Sequence, residues 1–283
     1  MRLLFHKTTL LSLVLIGLSA TCIVAMQWGR NRGGSGADER GGVPMWEIDQ
    51  NFKSDLFTFA RVKYSDGPGR GWGRRGDWGG KWRTDYPDSD LNFSLRLQQL
   101  TSIKVNPQHV VVELTDPELF DYPFLYMIEP GNMLLNPAEV MGLRRYCLNG
   151  GFMMVDDFWG EYEYQNFYRE IKKVFPEFEP QEVPLEHEIF QCVYPLKERP
   201  QVPAINVFYS GGTYEYRPES DTSIVSYKAI YDASGRMMVF ICHNTDLGDG
   251  WEQEGMNQEY FAQYSVPKSY PLGINIVTYA MSH

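Results

Sequence analysis

Residues 136–160 read NPAEVMGLRRYCLNGGFMMVDDFWG, and the order of signals in this stretch decides the fold. Asn136 can cap a helix, Pro137 suits the first helical position because its missing N–H has no intrahelical partner there, and Glu139 completes a capping box. The helix is expected to run to about Leu148, where Asn149, Gly150 and Gly151 supply the permissive backbone for a stop. Phe152–Val155 is then a short apolar run of the kind that forms a strand buried on both faces, and it ends in two acids, Asp156 and Asp157. A capped helix followed by a tight turn and a buried strand is half of a parallel β-α-β unit, which points to the α/β class.

The same alternation extends in both directions. Upstream, LFTFARVKY (56–64) is expected as a first strand, followed by a long Gly- and Trp-rich loop (65–90). Leu91, Phe93, Leu95, Leu97, Leu100 and Ile103 recur at helical spacing behind Asp88 and Ser89, either of which could cap. HVVVEL (109–114) and PFLYMIE (123–129) are short buried strands. Downstream, Phe167, Ile171 and Val174 mark one face of an amphipathic helix. QVPAINVFY (201–209), TSIVSYKAIYD (222–232) and GRMMVFICHNTD (235–246) read as strands, the last two forming a hairpin around Asp232–Gly235, and PLGINIVTYAM (271–281) closes as a helix. The expected architecture is a largely parallel sheet covered on both faces, with an antiparallel addition near the C-terminus.

Ahead of this domain, Thr8 to Met26 carries no charge, and Arg2 and Lys7 precede it. At about 1.5 Å per helical residue such a run reaches across the hydrocarbon of a bilayer, so residues 1–28 are expected to be a signal peptide or a single membrane span. Residues 29–49 read as a flexible linker, because GRNRGGSGADERGG (29–42) has almost nothing to bury. The domain then runs from 50 to 283 and is expected on the non-cytoplasmic side, with the chain anchored in the membrane or secreted. The whole sequence has 26 Lys and Arg against 36 Asp and Glu, and four of the bases fall in the first 32 residues, which hold no acid. The domain is therefore strongly acidic, a field that repels nucleic acid and suits neutral or cationic ligands. Cys147, Cys192 and Cys242 are widely spaced and odd in number, which is neither a disulfide framework nor a zinc site; each is expected to be a small buried hydrophobe.

Ligands of open α/β sheets bind beyond the carboxyl ends of strands, which makes Asp156 and Asp157 the first candidates. Paired carboxylates can hold a hard cation, act as acid or base, or bind sugar hydroxyls; alternatively one caps the next helix and the other pairs with Arg. A carboxylate so placed is expected to keep some exposure. His243, Asp246 and Asp249 form a second polar cluster at a strand end, with Trp251 beyond, and the two clusters are expected to meet in one cleft. DLGDG lacks the register of a calcium loop, and no metal or cofactor is read from any motif. From Arg61 to Arg83, seven basic residues share the chain with Trp72, Trp78 and Trp82, a set suited to stacking on a glycan or protein surface, or to anchoring a solvated loop. His187 in VPLEHEIF is a further candidate base or ligand. GxSxG, HExxH and Walker patterns are absent, so ordinary hydrolase and nucleotide-binding signatures are missing.

FARVKY (59–64), WRTDYP (82–87), DLNF (90–93), LTDPELFDYPFLY (114–126), LRRYCLNGGFMMVDDFWG (143–160) and HNTDLGDGWE (243–252), in that order, resemble the bacterial domain-of-unknown-function family numbered four thousand one hundred fifty-nine. The resemblance covers Leu56 to the C-terminus and adds Asp85, beside Trp82, to the candidate ligand-binding residues. That family is similar to class I glutamine amidotransferase-like folds of the trehalose-utilisation type, which implies a flavodoxin-like three-layer α/β/α sandwich. Where amidotransferases carry a nucleophilic Cys on the strand-to-helix elbow, this chain has Asp156 and Asp157, so glutaminase chemistry is not implied. PLEHEIF resembles the HPI element of the trehalose-utilisation proteins, with Glu188 in place of the proline. Family members often occur beside MoxR-type ATPases and von Willebrand factor-type proteins, which implies an envelope protein partner. A carbohydrate or such a partner bound at the cleft around Asp156 is the leading expectation. A glycan-directed hydrolase using Asp156 or Asp157 with His187 or His243 is the alternative.

Overall fold

The buried strand read from residues 152–155 lies at the middle of the sheet. The computed structural model describes residues 40–49, 51, 55–66 and 80–283, and the unit running from Val43 to His283 contains every element below. The span expected from Thr8 to Met26 and Trp72 and Trp78 lie outside the described residues. Among those described, no helix is long and apolar enough to cross a membrane.

Seven strands form one sheet: β1 (Ala60–Lys63), β2 (Val110–Glu113), β3 (Phe124–Ile128), β4 (Phe152–Asp156), β5 (Gln181–Glu182), β6 (Ser226–Tyr231) and β7 (Met237–His243), in the order β2-β1-β3-β4-β7-β6-β5. β2, β1, β3, β4 and β7 run parallel, and β6 and β5 add antiparallel beyond β7. The chain is thus α/β with a mostly parallel sheet and an antiparallel extension. Chain order reverses between β1 and β3, and such a reversal leaves a crevice at the carboxyl ends of the strands.

Side-chain alternation separates two cores. On one face Phe124, Tyr126 and Ile128 of β3 meet α1 (Asp88–Leu100) through Phe93 and Leu97, and α6 (Tyr270–Ser282) through Leu272 and Ile276. On the other, Leu125 and Met127 meet α2 (Pro137–Leu148) through Leu143 and Cys147, and α3 (Gly160–Val174) through Phe167 and Ile171. Helix α2 starts as read: Asn136 Oδ1 accepts from the N–H groups of Ala138 and Glu139, and Glu139 Oε2 accepts from the Asn136 N–H at 2.8 Å.

Several local expectations give way to tertiary contacts. The first strand is shorter than 56–64, with Phe57 making only an isolated parallel bridge to Val105. Neither Asp88 nor Ser89 caps α1, because the Ser89 hydroxyl is held by the buried Arg61 and donates to Asp90. QVPAINVFY is not a strand. Val202 N–H is taken by Thr245 Oγ1, and Ile205–Tyr209 coils into a short helix, α4, whose first N–H is accepted by the Asp249 carboxylate. Cys147 and Cys242 are buried, whereas Cys192 is exposed.

Candidate functional site

The crevice at the carboxyl edge of the sheet is an acidic cavity of about 420 Å³. Its carboxylates arrive from separate strand ends. β1 contributes through Arg61, a fully buried guanidinium paired with Asp90 that donates to the carbonyls of Trp82 and Thr84 at 3.0 and 2.9 Å. Those two bonds bring the 82–85 segment over the strand ends and set Asp85 at the cavity wall. Glu129 follows β3 directly; it accepts from the Thr84 hydroxyl and pairs with Lys81. Asp157 follows β4, with Oδ1 accepting from the Trp159 indole at 3.2 Å. Beyond β7, Asp246 accepts from the Asp249 N–H at 2.7 Å and so starts α5 (Leu247–Glu252), while Asp249 accepts from Gln253. Glu215 joins from a loop, held at 3.1 Å by Arg217.

Backbone strain gathers at the same place. Among the described residues, the non-glycine positions with positive φ are Asp85 (62°), Glu129 (47°), Asp157 (54°) and Asn244 (61°); the first three line the cavity and the fourth follows β7. Left-handed backbone is unfavourable for side-chain-bearing residues and persists where the surroundings over-determine it. Here they do: Glu129 N–H bonds to Asp156 O, Asn244 N–H to Phe158 O, and Asn244 Oδ1 accepts from Gly160 N–H.

Electrostatics push the same way. Seven carboxylates and two basic groups, Lys81 and Arg217, line the cavity among the described residues. Two like charges 4 Å apart repel by about 4 kcal/mol at an effective dielectric near 20, so the set cannot all be ionised without counter-charge. Burial, then the charge of Asp249, holds the Asp85 carboxyl well above the usual carboxylate range. Burial, then Glu129 and Glu215, does so for Asp157; burial, then Asp157 and Asp85, for Asp246. Such groups can accept hydrogen bonds from hydroxyls or amines, hold protons for transfer, or ligate a hard cation.

The other sequence candidates take different places. Asp156 ends β4 fully buried beneath the cavity, with Oδ2 accepting from Tyr126 Oη at 3.1 Å and Gly248 N–H at 2.9 Å; burial pushes its pKa up to about 7. It ties β4 to α5, so the segments carrying Asp156 and Asp246–Asp249 do meet. The expected exposure of the two acids is not found, since Asp157 too is buried, because α5 and the 82–85 segment close over the strand ends. His243 ends β7 but packs at a tilt against Phe158 and Tyr164 and bonds the Gly160 carbonyl at 3.1 Å, outside the cavity lining. Burial lowers its pKa to about 4, which keeps it neutral. His187 accepts from Ile189 N–H and packs on Tyr279, whose ring meets Phe152 at the amino end of β4. It stands at the opposite edge of the sheet. Trp82 is half-buried against Tyr86 and offers the site its carbonyl rather than its ring.

Glu129 and Glu215 are cavity residues that the motif reading passed over. Glu129 carries the signal that singled out Asp156, an acid closing a buried apolar run, whereas Glu215 lies in a loop with no periodicity to mark it. The sequence profile of the family described as Domain of unknown function (DUF4159) matches residues 58–281, and the chain belongs to that family. A search of curated proteins found no match.

Proposed function

We propose that this member of the DUF4159 family is an exported or membrane-anchored ligand-binding protein whose acidic cavity takes a polyhydroxylated, neutral or cationic ligand of the carbohydrate class. One observation carries the reading: carboxylates from the ends of β3, β4 and β7, with Asp85 and Glu215, converge on a single cavity at the topological reversal. Recessed carboxylates flanked by Trp159 suit hydroxyls and amines better than the flat surface of an envelope protein partner, and their charge disfavours nucleic acid. An amidotransferase-like, flavodoxin-like ancestry is supported by the β2-β1-β3-β4 order and by the left-handed Asp157 on the turn between β4 and α3, where such folds carry their elbow. The uncharged run from Thr8 to Met26 behind Arg2 and Lys7 supports the membrane placement.

Calorimetric titration of the full-length chain with neutral and amino-sugar oligosaccharides tests the reading. Binding that is lost in Asp157→Asn and Asp246→Asn, with both variants folded, is the expected result. Failure of every glycan to bind, or binding indifferent to both substitutions, would overturn it. A second reading, glycan hydrolysis, is favoured by the raised proton affinity of Asp157 and Asp246 across one cavity, since a protonated carboxyl beside an ionised one is an acid and base pair. Release of new reducing ends from a bound oligosaccharide separates it from binding alone.

A further inference from the structure

Within the cavity two trios of carboxylates lie close enough to share an ion: Asp85, Asp246 and Asp249, and Asp157, Glu215 and Asp246, with one oxygen of each residue within 4.8 Å of the others in its trio. They differ in their existing partners. Glu215 is already engaged by Arg217 at 3.1 Å, and Asp157 by the Trp159 indole. The Asp85 carboxyl has no such engagement, and Asp246 and Asp249, although they accept from the Asp249 N–H, the Ile205 N–H and the Gln253 amide, have no cationic partner among the described residues. Although part of the residue reaches solvent, its Oδ2 is sealed from water and has no hydrogen-bond partner, and a methyl group added at Gly248 would sit 2.7 Å from it. That oxygen is therefore lodged against the first turn of α5, the same turn that carries Asp246 and Asp249. That orphaned, buried oxygen belongs to a carboxylate lying within 4.8 Å of two others and has no positive partner, because Arg61, a buried cation, is committed to Asp90.

We infer that Asp85, Asp246 and Asp249 form a site for a hard divalent cation, of calcium size, with Asp246 able to extend it toward Asp157. The inference rests on the cavity being the ligand site and specifies how it neutralises its charge. All the ligand atoms are carboxylate oxygens, the set that selects calcium, magnesium or manganese over softer metals. Calcium–oxygen distances of about 2.4 Å let two ligands of one ion stand as far as about 4.8 Å apart, which covers the whole span within which these oxygens lie, whereas magnesium, at about 2.1 Å, reaches across only about 4.2 Å. A cation so held would leave coordination positions open to the cavity for ligand hydroxyls.

The test uses the full-length chain stripped with a chelator and titrated with CaCl₂ and MgCl₂ by calorimetry. Terbium luminescence excited through tryptophan gives an independent readout, since Trp159 lines the cavity. Saturable calcium binding stronger than magnesium binding is expected, with at least a tenfold loss of affinity in Asp85→Asn and in Asp246→Asn and no change in the exposed Asp121→Asn. Asp85→Asn sacrifices no side-chain hydrogen bond and so should fold; circular dichroism verifies this. If it does not fold, displacement of terbium by calcium in Asp249→Asn decides in its place. Absence of saturable heat at on the order of 10 mM calcium, above the range of weak extracellular sites, overturns the inference, as does binding that survives the Asp85 or Asp249 substitution. Glycan titrations with and without calcium separate the two ideas. Glycan binding in chelator without any calcium heat removes the cation and keeps the carbohydrate reading, and calcium binding without glycan binding does the reverse.

Discussion

The two edges of the one sheet obey opposite rules. At the amino edge, the turn between β6 and β7 places positive φ on Gly235, and the turn before β4 places it on Gly150, where in both cases an added methyl group would meet nothing. The Asp232 carboxylate there is held below its usual range, first by the Ser234 hydroxyl and also by backbone N–H groups and Arg236. At the carboxyl edge, positive φ falls on Asp85, Glu129, Asp157 and Asn244, and burial raises the proton affinity of Asp85, Asp157 and Asp246 instead of lowering it. One edge is arranged for stability, and the other holds charge and strain that stability alone would remove. Clustering of both kinds of cost at one place is the mark of a functional site.

The pH dependence of stability should show this contrast most strongly. A carboxyl whose folded pKa lies above its unfolded value binds its proton more tightly when folded, so its contribution is complete below about pH 4 and is lost as the pH rises. For Asp156, raised from 3.8 to about 7, the loss across that interval is on the order of 4 kcal/mol, and Asp85, Asp157 and Asp246 act with the same sign. Melting temperatures measured from pH 5 to pH 8 should therefore fall, and Asp156→Asn, which keeps an oxygen for Tyr126 and Gly248, should flatten the decline. A melting temperature that rises over this range would break the comparison.

Next in size is Gly248→Ala. Its methyl group would lie 2.6 Å from Tyr126 Oη and 2.7 Å from Asp85 Oδ2, so α5 must shift, at a cost of about 1–3 kcal/mol in denaturant titrations. The matching Gly150→Ala at the amino edge meets only its φ of 109° and should cost about 1 kcal/mol. Equal losses at both positions would show that the carboxyl edge is no more tightly built than the other.

The sharpest qualitative contrast is between two aspartates. Asp157→Asn removes a buried like charge while Asn still tolerates the left-handed backbone, so it should stabilise the protein by about 0.5–2 kcal/mol at pH 8 and weaken ligand binding. Asp232→Ala removes hydrogen bonds to Ser234 and Arg236 and should destabilise by about 0.5–1.5 kcal/mol, with no effect on the cavity. Chemical melts of both variants should move in opposite directions. The smallest effect is expected from His187→Ala, about 0.5 kcal/mol and no change in binding, because that side chain caps one turn at the far edge.

The sequence by itself determined the elements whose signals are local. The capping box at Asn136, the stop at Asn149–Gly151, the buried run of β4 and the hairpin at Asp232–Gly235 each need only a few adjacent residues, and together they dictate the α/β class and the edge at which Asp156 and Asp157 emerge. The tertiary structure alone decided what those acids do. Asp156 and Asp157 are neighbours in the chain, yet one turns under α5 to bind Tyr126 and Gly248 while the other, in left-handed backbone, faces the cavity. QVPAINVFY reads as a strand until Thr245 and Asp249 take its N–H groups, and His187 and His243 read as site residues until the fold sends one to the opposite edge and packs the other against Phe158. The physical reason is that burial and charge–charge repulsion are sums over residues distant in sequence. Asp85, Glu129, Asp157, Glu215 and Asp246 become one site only because strand order β2-β1-β3-β4-β7 and the reach of Arg61 bring them within one cavity.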